Sequence, residues 1–266
     1  MKPPYIPSHT TQAKKTPTLT DKTQFHPHYD GRFAAAILPY ADSKHHLSIL
    51  LQTYLSTMHD LGVETWIMHG SLLGWWWNRK VMPWDSDVDV QVSEASLDFL
   101  ASYHNMTVHR FPIVPDLRAE TGDDDGDGGV DEKNEKKKEK EKGRSYLLEI
   151  NPHYRNGSVT DTLNVIDARW IDMTTGLFID ITGLRRDREA EQAGRPGQMM
   201  CKDRHQYMYD DIFPLRDSVF EGVPARVPFK YIELLEQEYG KTALTRTEYE
   251  GHVFEQQTME WKPRSG

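Results

Sequence analysis

Three carboxylates, Asp85, Asp87 and Asp89, crowd together in the stretch His69–Val90, HGSLLGWWWNRKVMPWDSDVDV. In an extended strand, residues two apart leave the same face, so the spacing places Asp87 and Asp89 side by side, with Asp85 on that face too. Like charges packed this way repel one another unless a hard divalent cation takes their oxygens, and Mg2+ or Mn2+ suits an all-carboxylate donor set. Upstream, Gly70-Ser71 separates Val63–Met68, which reads as a buried strand, from Leu72–Asn78, which reads as a short helix opened by Ser71. A strand, a Gly-Ser turn and a helix N-terminus together aim backbone N–H groups at an anion such as phosphate. One element would hold phosphates and the other the metal that bridges them, which is the chemistry of phosphoryl transfer.

A third acid is sought in Asn164–Thr182, NVIDARWIDMTTGLFIDIT, whose alternation gives two strands joined at Thr174-Thr175-Gly176. A carboxylate inside an apolar strand is costly without a partner, and a metal held by Asp87 and Asp89 would be one. Asp180 is the choice, with Asp172 and Asp167 as weaker candidates whose alternative is to face solvent. Arg79 and Lys80 flank the acids in sequence, either to meet a substrate phosphate or as a solvated basic turn. Arg185, with Arg186 and Arg188 amid Asp187 and Glu189, is a clamp for an anionic substrate or part of a salt-laced loop. The run Trp75–Trp77 is read as packing in preference to a platform for a base or sugar.

Positioning such a site needs a core, and 266 residues with seven Trp and twelve Tyr suffice for one domain with decorations. The expected organisation is a flexible leader over 1–24, a folded domain over 25–250 and a polar tail over 251–266. A helix is signalled from Asp42 or Ser43, with Leu47, Leu50, Leu51, Tyr54, Leu55 and Met58 on one face and Gly62 as its stop. Ser93 caps a second helix running to about His104, Ser145–Ile150 is a strand, Ser218–Pro228 a hairpin, and Pro228 opens a helix that stops at Gly240. Residues 118–144 hold almost nothing that can be buried and are expected to be a disordered, charged insertion. Their run Asp123, Asp124, Asp125 and Asp127 hints at a calcium loop but lacks its closing glutamate. In FHPHYDGRF a docked aromatic turn is preferred to a metal cluster of His26, His28 and Asp30, because the spacing matches no zinc signature.

The net charge of −9 argues against a general nucleic-acid partner, whose phosphates would need Lys and Arg. Cys201 is the single cysteine, which excludes an intrachain disulfide or a cysteine-rich zinc site. No apolar run fits a signal peptide or membrane anchor. Asn105-Met-Thr and Asn156-Gly-Ser are glycosylation acceptors only in the secretory pathway. The fold class expected is α+β, a mixed β-sheet flanked by helices.

The blocks His69-Gly70-Ser71-Leu72-Leu73-Gly74, Pro83–Val90 and Phe178-Ile179-Asp180-Ile181 resemble the LicD family, which includes bacterial phosphocholine transferases, fukutin and its relatives, and fungal proteins linked to mannosylphosphate addition. Weaker likenesses follow at Asp211–Leu215, Phe220–Pro224 and Glu238-Tyr239-Gly240. HYDGRF at 28–33 and ARWIDMTTGLFIDITGL at 168–184 resemble the fungal branch most. That resemblance implies metal-dependent transfer of a sugar-phosphate or similar group from a nucleotide-linked donor, GDP-mannose or a CDP-alcohol, to a glycan hydroxyl. Asp87 and Asp89 would hold Mg2+ or Mn2+, Asp180 would be the third acid and Asp85 would assist. Gly70-Ser71 would cradle donor phosphate. It also implies a Golgi-lumenal setting and a membrane-anchored glycosyltransferase as partner. Two rival readings remain: a non-catalytic regulator of a glycan phosphotransferase with the same fold, and a nucleotidyltransferase acting on RNA or an antibiotic, against which the acidic charge counts.

Overall fold

The computed structural model describes residues 24–112 and 143–264. The expected leader up to residue 23, residues 118–142 of the expected insertion and the acidic run from Asp123 to Asp127 lie outside the described residues.

The first helix, α1, spans Tyr40–Asp60. Leu47, Leu50, Leu51, Tyr54, Leu55 and Met58 recur at helical spacing and are all buried, so one stripe is fixed against the sheet while the polar face stays in water. The helix ends where Gly62 turns left-handed at φ 68°, a conformation that costs glycine little.

The strands run in chain order as β1 (Gln24–His26), β2 (Tyr29–Asp30), β3 (Thr65–Ile67), β4 (Asp89–Ser93), β5 (Thr107–Phe111), β6 (Arg144–Ile150), β7 (Ala168–Asp172), β8 (Phe178–Arg186), β9 (Gln198–Met200) and β10 (Gln206–Met208), with α1 packed on β7 and β8. β3 to β10 form one eight-stranded sheet centred on β8. One edge of β8 pairs with β7 antiparallel and the other with β4 in parallel, while its last residues pair with β9. The sheet is therefore mixed, and with helices packed on it the architecture is the α+β class expected. Two further helices serve the site: α2 (His69–Asn78) between β3 and β4, and α3 (Glu94–Tyr103) after β4. The Ser93 hydroxyl accepts the Ser96 N–H at 3.2 Å, the N-cap read from the sequence.

A hairpin, β11 (Arg216–Phe220) with β12 (Val223–Val227), precedes α4 (Tyr231–Tyr239). The chain then forms a small sheet of β13 (Glu248–Tyr249), β14 (His252–Glu255) and β15 (Glu260–Pro263). Phe254 and Trp261 from this sheet bury Met82 against Trp77 and Trp84. Trp75 and Trp76 contact Tyr231, and the three indole N–H groups of Trp75–Trp77 donate to Ser218, Leu244 and Ala243. The tryptophan run is thus packing.

HYDGRF and the Thr174-Thr175-Gly176 turn, far apart in sequence, are one structural piece. The Asp30 N–H donates to the Gly176 carbonyl at 2.8 Å, and Tyr29 bridges Leu177. Gly176 has φ 79°, and a Cβ there would lie 2.6 Å from Ala34 Cβ, so only glycine lets the two chains approach. Asp30 is buried and held by Arg32, which also bonds Glu149.

Candidate functional site

Asp89 opens β4 and stands in register with Asp180 on the parallel β8, so adjacent strands present the two carboxylates together. Asp85 and Asp87 precede the strand instead of lying on it, because β4 pairs with β3 only from Val90 to Val92. Asp87 is exposed, and its charge acts on Asp85, Asp89 and Asp180 alike. The His28 Nδ1 lies 3.7 Å from Asp87, while its Nε2 is 3.2 Å from the Ser86 hydroxyl. The docked HYDGRF turn therefore carries an imidazole to the rim of the acids, a placement that the strand pattern does not reveal.

Electrostatics show how crowded the carboxylates are. Burial, with Asp87 beside it and His69 in partial opposition, pushes Asp89 up to about 8. Burial and Asp87 push Asp85 up to about 7 against the pull of Lys44. Burial also raises Asp180, which the Arg169 guanidinium holds back by donating to its Oδ1 at 2.9 Å. Arg169 is itself buried and lies over the Phe178 ring at 3.9 Å, so it fixes one oxygen of Asp180 and leaves the other to the site. Acids that retain protons near neutrality for want of a counter-charge are a donor set that a divalent cation would satisfy.

The helix α2 starts earlier than its sequence suggests, with His69 in the left-handed region at φ 52° and Ser71 inside the first turn. Ser71 is buried and its hydroxyl accepts the Asp89 N–H at 3.1 Å. It positions the acid, in place of opening the helix. A Cβ on Gly70 would lie 3.4 Å from Asp85 Oδ2, so Asp85 faces the N-terminal end of α2, where helix charge favours an anion. The loop carrying the acids is tied down by Lys44, which donates to the carbonyls of Met82 and Asp85, and by Glu221, which accepts the Val81 N–H and the Ser48 hydroxyl.

Gly74 sets how closely α2 approaches this loop. An added Cβ would stand 2.4 Å from the Lys80 carbonyl oxygen, and backbone cannot swing aside as a side chain can. Gly74→Ala is expected to destabilise the fold by about 1–3 kcal/mol, seen as a lower urea midpoint with an unchanged slope.

Three residues taken as phosphate contacts lie elsewhere. Arg79 caps the far end of α2, roughly 15 Å along a ten-residue helix, with its guanidinium 3.9 Å from the centre of the Trp75 ring. Lys80 pairs with Glu260 at 3.1 Å on the surface. Arg185 belongs to β8, which runs on to Arg186, and it is buried against Asp167 beside Lys202. Flanking the acids in sequence, or following a strand, does not bring a cation to them once it has a nearer carbonyl, ring or carboxylate. Asp167 is neutralised in that buried cluster, and Asp172 accepts the Thr174 N–H beside His46 and Arg144.

Next to Asp89 lies a second polar group that sequence spacing could not reveal. The His69 Nδ1 is 2.9 Å from Glu238 on α4, and its Nε2 is 3.6 Å from Asp203, in the turn between β9 and β10. Burial would lower His69, but Asp203, Glu238 and Asp89 outweigh it and raise it to about 10.

In-register acids, a Gly-Ser helix start beside them and a short acidic loop thus meet at one place on the mixed sheet. Residues 62–114 match the family model described as LicD/FKTN/FKRP, nucleotidyltransferase domain, so the resemblance to the LicD family stands over this segment. Two curated relatives from Saccharomyces cerevisiae (strain ATCC 204508 / S288c) are similar in sequence. Mannosyltransferase regulator 4 is 30% identical over 138 residues, 52% of this chain and 10% of that protein. Mannosyltransferase regulator 14 is 28% identical over 170 residues, 62% of this chain and 15% of that protein. The matched segments thus span only a small part of the relatives' length.

Proposed function

We propose that this chain carries out metal-dependent transfer of a sugar-phosphate or similar group from a nucleotide-linked donor, of the GDP-mannose or CDP-alcohol type, to a glycan hydroxyl. The observation that carries the reading is the in-register pair Asp89 and Asp180 with Asp87 at its rim. Those three would hold Mg2+ or Mn2+, and the metal would supply neutralisation of charge on the donor diphosphate. Asp180, with one oxygen fixed by Arg169, would orient or deprotonate the acceptor hydroxyl. Asp85 would assist from the helix end, and Gly70 and Ser71 would shape that end for the donor. A secretory-pathway setting with a glycosyltransferase partner fits the relatives' names; among the described residues no helix is long and apolar enough to cross a membrane.

The test is a donor screen by mass spectrometry, with GDP-mannose, CDP-alcohols and free NTPs offered alongside a mannosylated acceptor. A product heavier by a phospho-sugar supports the reading; one heavier by a nucleotide replaces it. The names of both relatives favour a second reading, a regulator of a glycan phosphotransferase. That reading expects no transfer in the screen, with an increase in a partner enzyme's turnover instead.

The site should also take up Mn2+ in a pH-dependent way. In the metal-free protein Asp85 and Asp89 hold protons up to about 7 and 8. Raising the pH from 6 to 8 removes those protons, so affinity is expected to rise by up to about tenfold per pH unit for each proton displaced. Calorimetric titrations across that range check this, and a flat affinity contradicts it.

A further inference from the structure

We propose that His69, His205, Glu238 and Asp203 form a second cation site, suited to a borderline ion such as Zn2+ and separate from the carboxylate site. The four come from three elements: the first residue of α2, the turn joining β9 to β10, and the last turn of α4. One donor atom from each of His69, His205 and Glu238 can be chosen so that all three lie within 4.8 Å of one another. Asp203 Oδ2 is 3.1 Å from His205 Nδ1 and 3.6 Å from His69 Nε2. The two imidazole rings stand 4.4 Å apart.

Beyond the clustering, two ring nitrogens point to a ligand. His69 is only 8% exposed, yet its Nε2 makes no hydrogen bond, and neither does the buried Nδ1 of His205. Both nitrogens face Asp203 Oδ2, at 3.6 and 3.1 Å, without hydrogen-bond geometry, and a cation between the two rings and that carboxylate would satisfy all three groups. His69 also holds a positive φ of 52° as a non-glycine residue, strain that native structures retain where surrounding contacts impose it.

Donor chemistry separates this site from its neighbour. Asp87, Asp89 and Asp180 offer oxygen alone, which suits Mg2+ and Mn2+, whereas two imidazoles with two carboxylates suit Zn2+ or Co2+. One divalent ion would balance both carboxylates while the imidazoles stay neutral. Metal–nitrogen bonds of about 2.0–2.1 Å bring tetrahedral donors to roughly 3.4 Å from one another, so the cluster must close slightly. His205, with 41% of its side chain exposed on a turn, has room to rotate. Bound there, the ion would pin the β9–β10 turn and α4 to the start of α2, beside Asp89. The inference does not depend on whether the chain catalyses transfer.

The test uses the full chain, stripped with chelator and titrated with Co2+ and then Zn2+, in wild type and in Asp87→Asn/Asp180→Asn, which disables the carboxylate site. Both proteins are expected to bind one Co2+ that gives visible bands of imidazole ligation and is displaced by Zn2+. In His205→Ala and Glu238→Gln, folded by circular dichroism, affinity should fall by about a hundredfold or more. Unchanged Zn2+ affinity in folded His205→Ala would overturn the site. So would loss of binding in the Asp87→Asn/Asp180→Asn chain alone, which would place the ion on the carboxylates, or a folded wild type that takes no Zn2+.

Discussion

Asp89→Asn is expected to give a protein that is more stable without metal, yet loses Mn2+ binding and transfer. The native carboxylate is half-buried and faces the charges of Asp87, Asp180 and Glu238, and desolvation with that repulsion pushes it up to about 8. An amide keeps the shape and removes the cost of holding a charge there, so metal-free stability should rise by about 1–2 kcal/mol. The same change removes a negative ligand in register with Asp180, and transfer should fall by about a hundredfold or more. Thermal unfolding in chelator and Mn2+ calorimetry on the same sample check both halves. A variant that is less stable in chelator, or that still binds Mn2+ as the native chain does, contradicts the placement of Asp89 in the site.

The second large effect falls on a residue that makes no contact with the proposed metal. Arg169 is 2% exposed and holds Asp180 Oδ1 while lying over Phe178. Arg169→Met preserves much of the apolar bulk but strands a carboxylate in a largely buried place. Breaking one side of a buried pair typically costs 3–5 kcal/mol; Asp180 keeps 28% of its side chain accessible, which water screens, so about 2–4 kcal/mol is expected. Because Asp180 would then be a carboxyl group whose burial Arg169 no longer offsets, Asp180→Asn added to Arg169→Met should recover part of the loss. Urea unfolding of the two single variants and the double variant measures that coupling.

Local signals in the sequence were sufficient for much of this. The leucine stripe of α1, the Ser93 cap and the Thr174–Gly176 turn each depend on residues near in sequence, and each stands where its pattern puts it. Asp89 and Asp180 stand in register, and both can be singled out from sequence for a related reason: an acid in an apolar strand needs an explanation wherever that strand lies. The strand holding the first acids was drawn too long, since nothing local shows that β3 offers only Thr65, Trp66 and Ile67 as partners. Ser71 reads as a cap because serine usually is one, whereas a left-handed His69 begins the helix three residues before Leu72. Arg79, Lys80 and Arg185 were drawn to the acids by sequence proximity, but their partners, Trp75, Glu260 and Asp167, are set by tertiary packing. The His69, Asp203, His205 and Glu238 cluster left no spacing to find, because three separate elements contribute to it.

At the proposed carboxylate site, the parallel pairing of β4 with β8 would also make cation uptake a measure of correct assembly. Side chains alternate along a strand, so a slip of β8 by one residue would turn Asp180 to the opposite face and set Ile179 or Ile181 opposite Asp89. Nothing nearby in sequence holds that alignment, since the two strands lie some ninety residues apart. A preparation that has collapsed with its strands out of step would keep its helices and its circular dichroism while losing the ion. Metal stoichiometry, measured before any activity, therefore reports the fraction of molecules whose central strands have found one another.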